Sequence, residues 1–195
     1  MPLDVAPLKL KDFQERGIYT RSHDPKQSTE FTYLRFFLPY LNNYEGWALF
    51  ADDDFLWLGD VAELISKLDD RYAVMCVKHD YIPLVKTKLA NVSQEPYPRK
   101  NWSSLIFWNC SHKLNKLFLT PNLIDGYKPS TLHRFKWLND IQIGNIDKSW
   151  NWLVGYYKEV QNSTPKALHY TDGGPWLEEY KDCEYSSKWY ECINI

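Results

Sequence analysis

Long apolar runs are missing from this chain of 195 residues. No stretch approaches the roughly eighteen consecutive apolar residues that read as a membrane-crossing helix. The opening, Met1-Pro2-Leu3-Asp4, has neither the charged n-region nor the apolar h-region of a secretory leader, so a cytoplasmic location is expected. An excess of one charge is also lacking: the net charge is −2, and Lys and Arg are scattered. That leaves no electrostatic footprint for nucleic acid or for an anionic membrane surface. The four cysteines, Cys76, Cys110, Cys183 and Cys192, form no CxxC pair and no zinc spacing. Cys76 lies in the apolar stretch Tyr72–Val77 and reads as an inert small hydrophobe. Cys183 and Cys192 are close enough along the chain to meet, but a cytoplasmic setting argues against a disulfide. Sequons at Asn91, Asn101, Asn109 and Asn162 carry no meaning without a leader. G-x-S-x-G, P-loop and HExxH motifs are absent too, which removes the common hydrolase and kinase readings.

What is present describes one ordinary globular domain over residues 1–195, with 44% hydrophobic and 25% charged residues. Aromatic residues reach 16%, including nine Trp and fourteen Tyr. Such rings stack on sugars or bases, but they also fill cores. Core packing is the expectation for most of Trp102, Trp108, Trp137, Trp150 and Trp152.

Periodicity and punctuation predict a short strand over Leu3–Leu10 and a polar loop over Lys11–Gln27. A helix opens at Ser28-Thr29-Glu30, with Phe31, Leu34, Leu38 and Leu41 at helical spacing, and Pro39 ends or kinks it. Ala48–Ala51, Tyr72–Val77 and Ser103–Trp108 read as buried strands. Asp60-Val61-Ala62-Glu63 resembles a capping box and starts a helix reaching about Leu68. Pro83–Arg99 reads as irregular, and Asn109–Lys128 as alternating helix and loop. Leu132–Ile143 reads as a helix, and the tail from Asn162 as loop-rich. Strands separated by helical segments predict an α/β domain with a mostly parallel sheet.

The chemistry is concentrated in two places. Ala48-Leu49-Phe50-Ala51 runs straight into Asp52-Asp53-Asp54, an apolar strand ending in three carboxylates. Ligands of open α/β sheets gather at such strand ends. Adjacent carboxylates repel one another unless a cation neutralises them, and hard divalent cations prefer oxygen. Alternation along an extended chain puts Asp52 and Asp54 on one side. The competing reading is a polar turn that caps the next helix. The second place is Lys166-Ala167-Leu168-His169-Tyr170-Thr171-Asp172-Gly173-Gly174-Pro175-Trp176. Here a short apolar approach delivers one histidine, and glycines allow backbone N–H groups near an anion. Imidazole joins carboxylates readily around manganese-type cations. Taken alone, His169 reads first as a structural histidine.

Together, the early D-x-D and the late H-x(3)-G-G-P-W resemble the glycosyltransferases of family 8 and their bacterial relatives. The resemblance covers most of the chain: Ser28–Arg35, Trp47–Leu64 (the nearest match), Asn101–Phe107 and Trp137–Asp140. It implies the GT-A nucleotide-sugar fold, Rossmann-like and mostly parallel, in a single domain. It also implies a UDP-sugar donor, a glycan acceptor, Mn²⁺ or Mg²⁺, and retention of anomeric configuration. By matching motif, Asp52, Asp54 and His169 would ligate the metal. Arg35, Asp53, Asn101, Ser103, Gly173 and Gly174 would meet the donor, the two glycines through backbone donors to phosphate. Asn139 and Asp140 would act at the reacting sugar. The late motif is one residue shorter than the family's H-x-x-G-x-x-K-P-W and lacks its lysine. Family chains open with a strand and helix that bind uracil and ribose before a strand like Leu3–Leu10. The expectation is therefore a chain without that first βα unit.

Smaller candidates stay open. His79-Asp80 faces an acceptor or is a solvated loop pair, Leu132-His133-Arg134 belongs to a helix surface, and His23 and His112 are exposed. The leading expectation is metal-dependent transfer of a hexose from a UDP-sugar to a saccharide or glycolipid. Its rival is a noncatalytic nucleotide- or glycan-binding remnant of such an enzyme. Glycoside hydrolysis ranks last, because it needs carboxyls on opposite sides of a bond. The sequence carries no reading of oligomeric state.

Overall fold

In the computed structural model the described residues are 3–22, 29, 31–80, 87–88, 92–93, 98–159 and 163–193. Their apolar runs become strands: β1 Trp47–Ala51, β2 Phe55–Trp57, β3 Val74–Cys76, β4 Thr87–Lys88, β5 Val92–Ser93, β6 Leu105–Asn109, β7 Ile143–Asn145, β8 Trp152–Leu153 and β9 Ala167–His169. The α-helices are short: α1 Leu10–Glu15, α2 Leu38–Leu41, α3 Ala62–Ile65, α4 Lys113–Phe118, α5 Pro121–Gly126, α6 Pro129–His133 and α7 Ser186–Ile193. None of the described helices is long and apolar enough to cross a membrane.

The main sheet has the order β1-β6-β3-β7, a second sheet runs β2-β9-β8, and β4 pairs with β5. This is the mixed α/β single-domain class that the sequence predicts. The strand directions differ from expectation: β1–β6 and β3–β6 are antiparallel, and only β3–β7 is parallel within the main sheet. An apolar run reports burial and says nothing of its partner's direction. β1 forms the edge of its sheet, so its five residues are half-buried where full burial was expected. The central strand β6 is buried throughout.

Aromatic rings fill the core around β6. Phe36 meets Trp108 edge-on at 6.1 Å, and Trp108 stacks on Trp137 at 6.4 Å. Trp108, Trp150 and Trp152 are fully buried, and Trp102 and Trp137 are half-buried. Burying each such side chain is worth about 1.5–3 kcal/mol.

Several local expectations are corrected. Residues 3–9 join no strand ladder; α1 follows within the expected loop, and Phe13 anchors it edge-on to Phe37 at 5.4 Å. Ser28 and Glu30 lie outside the described residues; a 3₁₀ turn at Leu34–Phe37 leads into α2 instead of one continuous helix. Pro39 sits in the first turn of α2, where a missing N–H costs nothing. The expected helix over Leu132–Ile143 stops at His133, because Phe135 adopts φ 46° and Asn139 caps a separate 3₁₀ turn. Leu132, Phe135 and Leu138 mimic a helical stripe because successive turns each bury one of them. The Asp60 carboxylate does accept the Ala62 N–H at 2.9 Å, but α3 lasts one turn. The tail carries β9 and α7. Part of Pro83–Arg99, together with His23, Asn91 and Asn162, lies outside the described residues.

Candidate metal centre

The D-x-D segment is where the chain leaves one sheet for the other. Asp52 still follows β6, its N–H donating to the Ser104 carbonyl at 2.9 Å. Asp54 already belongs to the second sheet, its carbonyl accepting the Tyr170 N–H at 3.1 Å. The β2–β9 register then sets Phe55 opposite His169. Two antiparallel pairings therefore carry three residues, distant in sequence, to one point. One ligand atom from each of Asp52, Asp54 and His169 lies within 4.8 Å of the others. His169 Nε2 is 3.3 Å from Asp54 Oδ1. The convergence arises from a turn between sheets, not from strand alternation; Asp53, at the tip, is exposed.

The His169 imidazole is held on both its face and its far edge. It stacks on Phe55 at 4.5 Å and 20°, and its Nδ1 lies 2.8 Å from Asn151 Oδ1. Asp52 is held as firmly. Arg35 Nη2 is 2.8 Å from Oδ1, and Nη1 donates to Oδ2 at 3.2 Å. The same guanidinium donates to the carbonyls of Thr32 at 2.9 Å and Ser103 at 2.7 Å, and it lies over the Phe50 ring at 4.6 Å. Burial pushes the Asp52 carboxyl above its ordinary range; Arg35 pulls it back, Asp54 pushes further and His169 pulls back. Charge on Asp52 is thus expensive here even beside Arg35, a condition that a cation relieves. Two carboxylate oxygens and one imidazole nitrogen form a donor set suited to Mn²⁺ or Mg²⁺.

The remaining expected donor contacts have other partners. Arg35 is turned onto Asp52. Asn101, at φ 60°, donates from Nδ2 to Thr171 Oγ1 at 3.0 Å and so ties the approach to β6 to the segment after His169. Ser103 Oγ lies 2.9 Å from His133 Nδ1. The Gly173 N–H donates to the Tyr170 carbonyl at 2.9 Å, so it is taken up inside the turn. Both glycines are buried. A Cβ on Gly173 would meet Tyr180 at 2.9 Å, and one on Gly174 would meet Trp176 at 2.1 Å, so the pair serves close packing. Asn139 caps its own 3₁₀ turn, and Asp140 pairs with Arg99. Both are exposed, and no contact joins either to the Asp–Asp–His cluster among the described residues.

Two histidines have more buried roles than their sequence context signals. His133 is half-buried, packed against Tyr33 and Phe36 with Nδ1 2.9 Å from Ser103 Oγ, and burial pushes its imidazole down to about 3. His79 is buried, with Nδ1 2.6 Å from the Tyr157 hydroxyl, and burial likewise pushes it down to about 3. His112 caps α4, accepting the Leu114 N–H. Asn151 stands in no motif and carries no sequence signal, and Ser104, although inside the Asn101–Phe107 segment, has nothing in the sequence that sets it apart there.

No family profile matches the chain. It is 45% identical over 192 residues to Protein CDI of Arabidopsis thaliana, an alignment covering 97% of this chain and 74% of that protein. Among solved structures, its fold is similar to the apo bifunctional glycosyltransferase WbbM, with TM-score 0.61, 18% identity, 90% of this chain and 36% of that one. It is also similar to the glycosyltransferase GlyE of Streptococcus pneumoniae TIGR4, with TM-score 0.58, 17% identity, 95% of this chain and 51% of that one. The chain thus spans about a third of the first structure and half of the second.

Proposed function

The chain belongs to the family of Arabidopsis thaliana Protein CDI and has a fold found in glycosyltransferases; from that premise we propose that it transfers a hexose from a UDP-sugar to a saccharide or glycolipid acceptor, in the manner of family 8 enzymes and with retention. The convergence of Asp52, Asp54 and His169 within 4.8 Å is the observation that carries this reading. Those three side chains would hold a Mn²⁺ or Mg²⁺ ion. When bound, the ion supplies Lewis-acid neutralisation of the charge on a departing nucleoside diphosphate. Arg35 contributes by fixing the rotamer of Asp52 and by limiting the negative charge of the cluster. Phe55 sets the plane of the His169 ring, and the Asn101–Thr171 bond holds the chain after His169 against the approach to β6. Asp53, exposed beside the cluster, remains open for the donor. Asn139, Asp140 and the Gly173 N–H have no part in this proposal, because each is engaged elsewhere.

That engagement also favours a second reading, a noncatalytic nucleotide- or glycan-binding module. A UDP-release assay over a panel of UDP-sugars, with Mn²⁺ and then EDTA, separates the two. Chelator-sensitive release for one donor, stimulated by glycan, is the expected result. No release, with UDP and Mn²⁺ together still raising the melting temperature, would replace transfer by binding.

A further inference from the structure

The orientation of the His169 ring is decided by a chain of buried hydrogen bonds that ends on an atom with only one possible role. The Asn101 carbonyl can only accept. Ser104 Oγ lies 2.7 Å from it, so the single hydroxyl proton points there. Asn151 Nδ2, 2.9 Å from Ser104 Oγ, must then be the donor to that oxygen. This turns the Asn151 amide oxygen toward His169 Nδ1 at 2.8 Å, and an amide oxygen only accepts. Nδ1 therefore carries the proton. Asn151, Ser104 and His169 are 0%, 3% and 2% exposed, so water has little access to substitute for any link.

We infer that Asn151 is the positioning residue that holds His169 as the Nδ1–H form and thereby presents the Nε2 lone pair to the Asp52–Asp54 carboxylates. The metal half of this inference rests on the reading above; the proton assignment does not. Nε2 faces Asp54 Oδ1 at 3.3 Å, and the stack on Phe55 at 4.5 Å keeps the ring from turning its other edge there. A ligating imidazole needs such a partner at its remote nitrogen, and loss of one typically lowers metal affinity about 10- to 100-fold. The chain also links the cluster to both sheets: Ser104 precedes β6, Asn151 precedes β8 and His169 ends β9.

The test uses the full ¹⁵N-labelled chain. Long-range ¹H–¹⁵N spectra of the metal-free wild type, at alkaline pH where an imidazole is neutral, should show His169 protonated at Nδ1. A ring protonated only at Nε2 overturns the inference, and this needs no variant. Mn²⁺ affinity in the presence of UDP, read by electron paramagnetic resonance, should fall about 10- to 100-fold in Asn151→Leu. In Asn151→Asp, which keeps an acceptor for Nδ1–H, it should stay within a few-fold of wild type by the same logic. An Asn151→Leu protein that folds and binds Mn²⁺ like wild type overturns the positioning role. A wild type that shows Nδ1–H yet binds no Mn²⁺ overturns the metal reading and the delivery role with it, while the proton assignment stands.

Discussion

Replacing Arg35 with methionine should destabilise the protein, and Mn²⁺ should reverse much of the loss. The side chain of Arg35 is 7% exposed and that of Asp52 is 21% exposed, so this is not a surface ion pair of negligible worth. Removing one partner of a buried pair costs about 3–5 kcal/mol, against about 0–1 for an exposed one. Asp52 keeps some contact with water, and methionine retains the apolar stem over Phe50, so the lower end, about 3 kcal/mol, is the expectation. For a chain of this size that is a drop in melting temperature of roughly 6–12 °C. The variant leaves the Asp52 and Asp54 carboxylates without their fixed cation, so a divalent ion gains more by binding there. At about a hundred times its dissociation constant, such an ion returns about 2.7 kcal/mol. Thermal melts with and without Mn²⁺ should therefore show a larger metal-induced rise in Arg35→Met than in wild type. Equal rises, or a variant as stable as wild type without metal, would refute the electrostatic account of this pair.

His133→Phe should flatten the acid dependence of stability. Burial holds the His133 imidazole at about 3 in the fold, against 6.5 as its ordinary value. Between those pH values the unfolded chain binds a proton that the folded one refuses. Stability therefore falls on acidification through that window, by up to about 1.4 kcal/mol per pH unit. Urea titrations at about pH 7 and about pH 5 should show a smaller difference in the variant, with the slope from His79 remaining; an unchanged difference would contradict the assignment. Gly174→Ala should cost about 1–3 kcal/mol, because its Cβ would stand 2.1 Å from the Trp176 ring. That ring packs on Trp189 at 4.8 Å, so tryptophan fluorescence should move together with the melting temperature. No change in either would mean that the turn yields without strain.

The metal-ligand candidates were readable because each sits at the end of an apolar run, and an apolar run is what sequence reports best. Asp52 follows Ala48–Ala51 and His169 follows Ala167–Leu168; both runs are strands here. The direction of those strands was not readable, since β1 buries the same residues whichever way β6 runs. The partners of the cluster were less readable still. Arg35 is expected at the donor from its place before the D-x-D, and only packing turns it onto Asp52. Asn139 and Asp140, expected at the reacting sugar, are taken up at the surface by a cap and by an ion pair with Arg99, contacts that no local pattern announces. Asn151 and Ser104 reach His169 through links between residues far apart in the chain, which no local pattern encodes.

The most direct test of the central claim is Mn²⁺ binding itself, measured by electron paramagnetic resonance with UDP present, on wild type and on Asp54→Asn. Wild type should bind saturably and the variant not at all, while the melting temperature of the variant without metal stays near that of wild type. A wild type that binds no Mn²⁺, or an Asp54→Asn protein that binds it equally well, would contradict the claim that Asp52, Asp54 and His169 form a metal centre.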